Sequence, residues 1–282
     1  MATSVSVLIP AYNAEATIER AVSSALSQHP EPKEVLVACD GCTDATAHIA
    51  RSAGATALEL PKANGAVARN AAAKEASGNF FFFLDADDWW EPGKIEAHLK
   101  VWKRKAPSFV IDRAVPRLPD GGRAYWTAGL NYDGPSEWRY FLSHNAWASG
   151  SSFSVTADNY NRVGGFREQL NKFQDVDFIL RCAHECGDAY NISRSYTNYS
   201  ISDAPSVSKT TEQIEQNLQA LFKGWPFVND GEKEAFASHA YLTAAEVTPW
   251  PQSVEFFKKA HWPVTHRFFW KCLYQSLRRR AA

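Results

Sequence analysis

Asp85-Ala86-Asp87-Asp88 places three carboxylates in four residues directly after the apolar run Phe80-Phe81-Phe82-Phe83-Leu84. Carboxylates this crowded repel one another unless protonated, solvated or neutralised by a cation. On an extended backbone the two acids of an Asp-x-Asp point the same way, an arrangement that suits a hard divalent cation. Mg²⁺ and similar ions take one or two protein carboxylates and share the rest of their shell with water and substrate phosphates. The competing reading is a solvated acidic turn capping a helix that starts near Glu91-Pro92. The apolar run fixes where the acids lie. Four consecutive Phe without alternation suit a strand covered on both faces, as in a parallel sheet. Each buried Phe is worth about 1.5–3 kcal/mol, so the acids must emerge at the strand's carboxyl end, the edge where open α/β sheets bind ligands.

Three earlier strand-turn-helix rounds must position that edge. Ser4 to Ile9 is a β-branched strand, and Pro10-Ala11-Tyr12-Asn13 is a turn whose Asn13 can cap the helix carrying Ile18, Ala21, Val22, Ala25 and Leu26. Glu34 to Ala38, a turn through Asp40-Gly41-Cys42-Thr43-Asp44 and a helix over Ala45 to Ser52 form the second round. Thr56 to Leu60, Asn64-Gly65 and an Ala-rich helix reaching Gly78 form the third. Such alternation implies a parallel, doubly wound sheet with helices on both faces and its loops at one edge. Tyr12, Asp40, Asn64, Arg69 and the Asp85 to Asp88 cluster should therefore share a crevice. Beyond them, His98 reads as a half-buried member of a helical stripe with Ile95, Leu99 and Trp102. Ser108 to Ala114, Arg123 to Thr127 and Ser151 to Val155 read as strands, and Asp175 opens a helix whose N-terminus favours an acid.

At 282 residues the chain can hold one large α/β domain, residues 1–209, and a helical C-terminal extension, 210–282. The net charge is -1, yet residues 256–282 carry seven Lys and Arg and no acid. From Pro263 onward Trp270, Leu273, Tyr274 and Leu277 line one helical face, and Arg267, Lys271, Gln275 and Arg278 another. That pattern raises peripheral contact with an anionic membrane face. No apolar stretch is long enough to span a bilayer and no secretory leader is evident, so a cytoplasmic protein is expected, without a nucleic-acid partner. Five scattered cysteines argue for free thiols rather than a disulfide framework.

Five ordered motifs together resemble family 2 glycosyltransferases of the GT-A fold. They are Val5 to Asn13, Asp40 to Asp44, Asn64-Gly65 with Ala68-Arg69-Asn70, Phe83 to Asp88, and Val163-Gly164-Gly165-Phe166 followed by Gln174-Asp175-Val176-Asp177. The resemblance implies a GT-A, Rossmann-like, mostly parallel sheet and inverting transfer from a nucleotide-sugar to a glycan or lipid-linked acceptor. It implies nucleotide contacts from Pro10, Tyr12, Asp40, Asn64, Arg69, Asp85 and Ala86. Tyr12 would lie near the base, and Asp40 would accept from a uracil N3–H, which favours UDP-sugars. Asp87 would bind Mn²⁺ or Mg²⁺, and Asp175 would be the general base. The chain departs from the pattern at Cys39, where an acid is usual, at Cys42, where a Ser is usual, and at Gln174, where a Glu precedes the base. The family often has a His in a segment where this chain offers Ser202 and Asp203. Two other readings compete: a catalytically silent nucleotide or carbohydrate module on the same fold, and an Asp-x-Asp phosphatase with Asp85 as nucleophile.

Overall fold

The structure is a computed structural model that describes residues 3–118, 122, 129–137, 139, 149–201, 210–247 and 253–260. The chain divides into two compact units, one formed by residues 1–141 and 146–203 and the other by 142–145 and 204–282. The first unit opens with β1 (Val5–Ala11), α1 (Ile18–Leu26), β2 (Glu34–Asp40), α2 (Thr46–Ser52), β3 (Thr56–Leu60), α3 (Gly65–Glu75) and β4 (Phe80–Phe83). These four strands lie parallel in the order β3-β2-β1-β4. There follow β5 (Trp89–Trp90), α4 (Lys94–Lys105), β6 (Val110–Arg117), β7 (Gly134–Ser136), a 3-10 turn at Gly150–Ser152, β8 (Phe153–Thr156), α5 (Ala157–Arg162), α6 (Gln174–Cys186) and β9 (Ala189–Ser200). Beyond β4 the sheet is mixed: β8 joins β4 and β6 antiparallel, β6 and β9 run parallel, and β5 and β7 pair antiparallel with β9.

The Phe run of β4 alternates after all, but between two aromatic layers. Phe81 and Phe83 meet Tyr160, Phe153 and Phe166 at ring-centroid distances of 5.4, 4.9 and 5.3 Å. Phe82 points the other way, against Trp90 at 6.1 Å and His98 at 5.3 Å. Both faces of the strand are dry, which removes the polar half of the usual strand pattern.

Several local expectations need correction. Asn13 does not cap α1. Its Oδ1 accepts from the Thr43 N–H at 2.9 Å, tying the turn after β1 to the turn after β2. The helix after the acids begins at Lys94 rather than near Glu91, because Trp89 and Trp90 first pair with Thr197 and Asn198. Ser151 and Ser152 belong to the 3-10 turn, and the strand starts at Phe153. Residues 123–127 lie outside the described residues.

His98 is fully buried rather than half-buried. Its Nδ1 meets Ser154 Oγ at 2.8 Å and its Nε2 meets Asp112 Oδ1 at 3.1 Å. Burial first, then the neighbouring Lys94 charge, pushes the imidazole down to about 4, so the ring is neutral. Asp112 also accepts from the Lys94 ammonium, from Thr197 Oγ1 at 2.9 Å and from the Tyr196 N–H at 3.0 Å, all within the core. The cluster bolts α4 to β6 and β9. Removing one partner of a buried ion pair strands the other charge. Asp112→Ala should therefore cost about 3–5 kcal/mol, read as a lower urea midpoint at unchanged slope. A loss below about 1 kcal/mol would mean that Lys94 is neutral or finds another partner.

The second unit has α7 (Thr211–Lys223), α8 (Asp230–Val247) and α9 (Val254–Lys259). A reciprocal capping box starts α7: Thr210 Oγ1 accepts from the Gln213 N–H and Gln213 Oε1 from the Thr210 N–H, at 3.2 and 3.3 Å. Ile214, Leu218, Leu221, Trp225, Phe236, Leu242 and Phe256 form its buried side. Of the basic residues near the C-terminus, Lys258 pairs with Glu255 at 2.7 Å and Lys259 with Glu215 at 3.4 Å. The amphipathic stretch from Pro263 onward, with its expected membrane contact, lies outside the described residues, as do Ser202 and Asp203. Among the described residues no helix is long and apolar enough to cross a membrane.

Candidate active site

The chain turns as it leaves β4. The Asp88 N–H donates to the Asp85 carbonyl at 3.0 Å, closing a tight turn. The acids are therefore not on an extended backbone, as the Asp-x-Asp argument supposed, because the chain must reverse within five residues to lay Trp90 against Phe82. The turn sends the three carboxylates to different places. Asp88 goes inward and is buried; it accepts from Ser151 Oγ at 2.5 Å and from the Ser200 N–H at 2.8 Å. Desolvation, then the charges of Asp85 and Asp87, raise its carboxyl well above the usual range. Ser151 Oγ in turn accepts from the Asp85 N–H at 2.9 Å, so Asp88 acts through Ser151 to fix the turn. Ser200 Oγ and Arg20 both donate to the Asp87 carbonyl, at 2.5 and 2.6 Å.

Asp85 is half-buried and pairs with Arg69, Nη2 to Oδ1, at 2.5 Å. Its Oδ2 faces Gly150, where a Cβ would lie 3.2 Å from it, so the glycine keeps that oxygen uncrowded. Asp87 reaches the surface and, among the described residues, holds no ion pair. Neighbouring protein atoms thin its hydration, and this, with the Asp85 charge, raises its carboxyl above the usual range. Two carboxylates that repel each other at a surface, one of them outside any direct ion pair although the Arg20 and Arg69 charges partly offset its own, are a donor set that fits a divalent cation. Asp87 and the Oδ2 of Asp85 are the atoms that would hold it.

Arg69 links this edge to α6. Its Nη1 donates to Gln174 Oε1 at 3.0 Å while Nη2 holds Asp85. Gly65 makes room: a Cβ there would lie 3.0 Å from Arg69 Nη1 and 3.2 Å from Gln174 Oε1. Next to Gln174, Asp175 accepts from the Val176 N–H at 2.9 Å. Desolvation raises the Asp175 carboxyl; the Val176 N–H and the Arg69 charge oppose this, and the Asp85 charge adds to it. Phe173, immediately before the helix, sits at φ 61°, a left-handed conformation that costs a non-glycine residue energy and recurs at functional sites. Asn70 fastens the same region. Its Nδ2 donates to the Phe166 carbonyl at 2.9 Å, and its Oδ1 accepts from the Phe166 N–H at 2.9 Å and from Tyr160 OH at 2.6 Å.

The ends of β1, β2 and β3 lie at the same edge of the sheet as the acids. Tyr12 is 54% exposed there, behind a half-buried Pro10. Asp40 is buried, accepting from Lys62 Nζ on Oδ2 and from the Ala63 N–H on Oδ1, both at 2.6 Å. The same ammonium lies 3.6 Å from the Tyr12 ring centroid. Ala86 is buried at the turn. The amide of Asn64 is engaged by the chain itself. Its Oδ1 accepts from the N–H groups of Ala66 and Val67, capping α3, and its Nδ2 donates to the Glu168 carbonyl at 2.7 Å. Both ends of the amide are spent on backbone.

Sequence reasoning missed Lys62, Ser151, Ser200 and Gly150. Lys62 had one signal, a cation in a strand-exit loop at the expected edge. The two serines had none.

The glycosyl transferase family 2 profile matches residues 6–168. Escherichia coli WfgD, described as a UDP-Glc:alpha-D-GlcNAc-diphosphoundecaprenol beta-1,3-glucosyltransferase, is 38% identical over 110 residues, 38% of this chain and 44% of that protein. The chain thus spans under half the length of that relative. An uncharacterised glycosyltransferase of Rickettsia typhi, RT0329, is 36% identical over 235 residues, 78% of this chain and 71% of the relative. The crystal structure of S. aureus TarS 1–349 in complex with UDP-GlcNAc superposes with a TM-score of 0.62 at 16% identity, covering 99% of this chain and 89% of that one. A profile that covers more than half of the chain, with a 36%-identical relative matched over most of its length, shows that the chain belongs to glycosyl transferase family 2.

Proposed function

We propose that the chain transfers a sugar from a UDP-sugar to a hydroxyl of a glycan or lipid-linked glycan, with inversion at the anomeric carbon. The observation that carries this reading is Arg69, which holds Asp85 with one nitrogen and Gln174 with the other. It sets the carboxylates of the β4 edge beside the mouth of α6, as a single displacement between donor and acceptor requires. Asp175 takes the proton of the acceptor hydroxyl as that oxygen attacks the anomeric carbon from the face opposite the diphosphate. Desolvation suits it to this task, because a carboxylate held above its ordinary range is a stronger base.

On the donor side Tyr12 offers its ring to the base and Asp40 accepts the uracil N3–H. Lys62 orients Asp40 before the nucleotide arrives, and the base competes with it for Oδ2. Asp87 and Asp85 Oδ2 would hold Mn²⁺ or Mg²⁺, which when bound would supply positive charge against that building on the leaving diphosphate. Arg69 adds a fixed positive charge on the same side. WfgD, by its name, glycosylates a diphosphoundecaprenol-linked sugar, and that supports an acceptor presented at a membrane surface.

The test is UDP release, screened across UDP-sugars and glycan acceptors with Mn²⁺, Mg²⁺ or EDTA. Release that requires both a donor and an acceptor is expected. UDP binding without release on any pair would favour the silent module, and phosphate release from monoesters the phosphatase.

A further inference from the structure

Cys39 and Cys42 bracket Asp40 and Gly41. The turn between them is tight: Gly41, at φ 66°, donates its N–H to the Cys39 carbonyl at 3.0 Å and the Leu60 carbonyl at 2.9 Å. Cys39 stands opposite Ala11 in the β1–β2 register, beside the strand end that Cys42 also reaches, and burial, followed by the influence of Cys42, pushes the Cys39 thiol up to about 12. Cys39 is buried, whereas Cys42 is partly exposed and its Sγ also reaches the Ala11 carbonyl at 3.5 Å, next to Tyr12. No step of the proposed transfer uses either sulfur.

We propose that Cys39 and Cys42 form a modification site, a dithiol that a hydroperoxide closes into a disulfide, withdrawing Asp40 from the nucleotide. The proposal rests on Asp40 as the base-reading residue. Cys42, the accessible thiol, attacks one peroxide oxygen as its thiolate; the O–O bond breaks, leaving a sulfenic acid and a hydroxide that takes up a proton to give water. The Cys39 sulfur then attacks the Cys42 sulfur, the S–O bond breaks, and the departing hydroxide leaves as water with the Cys39 proton. Two thiols are oxidised by two electrons, and the peroxide is reduced to two waters.

Closing the bond fixes the two sulfurs at about 2.05 Å, and the turn between them has nowhere to go. A Cβ on Gly41 would already lie 2.6 to 2.9 Å from the Cβ, Cα and N of Lys62. The backbone of Gly41 is thus pressed on the segment that supplies both partners of Asp40, Lys62 Nζ and the Ala63 N–H. Shortening the Cys39 to Cys42 span moves Asp40 against that fixed neighbour and breaks its alignment.

The experiment uses the full chain with hydrogen peroxide as the probe. Intact and peptide masses are measured, with calorimetric titration of UDP before oxidation, after it, and after dithiothreitol. Loss of two hydrogens from the peptide of residues 34–51 is expected, with UDP affinity falling about tenfold or more and returning on reduction. Cys42→Ser should bind UDP like the parent and ignore peroxide. It also controls for Cys186, a second reactive thiol lowered to about 7 by its hydrogen bond to Cys182. Three results would each overturn the proposal: Cys42 oxidised while Cys39 stays alkylatable, a disulfide that leaves UDP affinity unchanged, or equal sensitivity in Cys42→Ser. If the reduced chain does not bind UDP at all, the proposed donor fails instead, and the mass measurement still reports on the dithiol.

Discussion

Asp175→Asn should lower kcat by about 10²–10⁴-fold while UDP affinity stays within about twofold. The substitution keeps shape and the hydrogen bond from the Val176 N–H but removes the carboxylate proposed to take the acceptor's proton. That need arises in the transition state, so the loss belongs in kcat and not in binding of the free donor. The pH profile carries a second signature. The base must be deprotonated, and desolvation holds its carboxyl above the ordinary Asp range. Activity should thus be present at high pH and fall as pH drops through that raised value, with an acid limb above the usual Asp pKa. Gln174→Glu would place another negative charge beside Asp175 and move that limb further up. Retained turnover in Asp175→Asn, or an equal loss of UDP binding, would leave Asp175 as a first-turn acid that merely favours the helix N-terminus.

The parallel half of the fold was legible because each strand-turn-helix round repeats a simple alternation of burial. The mixed half was not. β5 is two tryptophans and β7 is Gly-Pro-Ser, too short for any period to register, and their pairing depends on a β9 distant in sequence. Within the site, Tyr12, Asp40, Arg69, Asp85 and Asp87 could be placed at one edge from topology alone. Their division of labour could not. Asp85, Asp87 and Asp88 are the same residue type within four positions, and only the reversal after β4 sends one inward to Ser151 and Ser200 and leaves another at the surface. Asn64 shows the converse: a polar residue at the right edge whose amide satisfies the start of α3, a demand that every helix makes of its flanks.

That division of labour sets the expected result for Asp87→Asn. The change is nearly isosteric and removes one charge from a carboxylate that Asp85 already repels. Folded stability should hold or rise slightly, because a group whose carboxyl is raised in the folded state opposes folding once it ionises as pH rises. Function should move the other way. Without this acid, Asp85 keeps only Oδ2 for a cation, since Oδ1 is held by Arg69. Titration with Mn²⁺ should show lost or greatly weakened metal binding, and UDP affinity should become the same with EDTA as with Mn²⁺. Turnover should fall about 10²–10³-fold, the scale on which a stabiliser of developing transition-state charge is lost. Asp88→Asn makes the contrast. It removes an acceptor for Ser151 Oγ or the Ser200 N–H but also relieves a carboxyl raised by burial, so the metal response should weaken only as far as the turn loosens. Should Asp87→Asn instead bind UDP and Mn²⁺ as the parent does, Asp87 has no part in holding metal, and the acids of the β4 edge serve only to shape the turn.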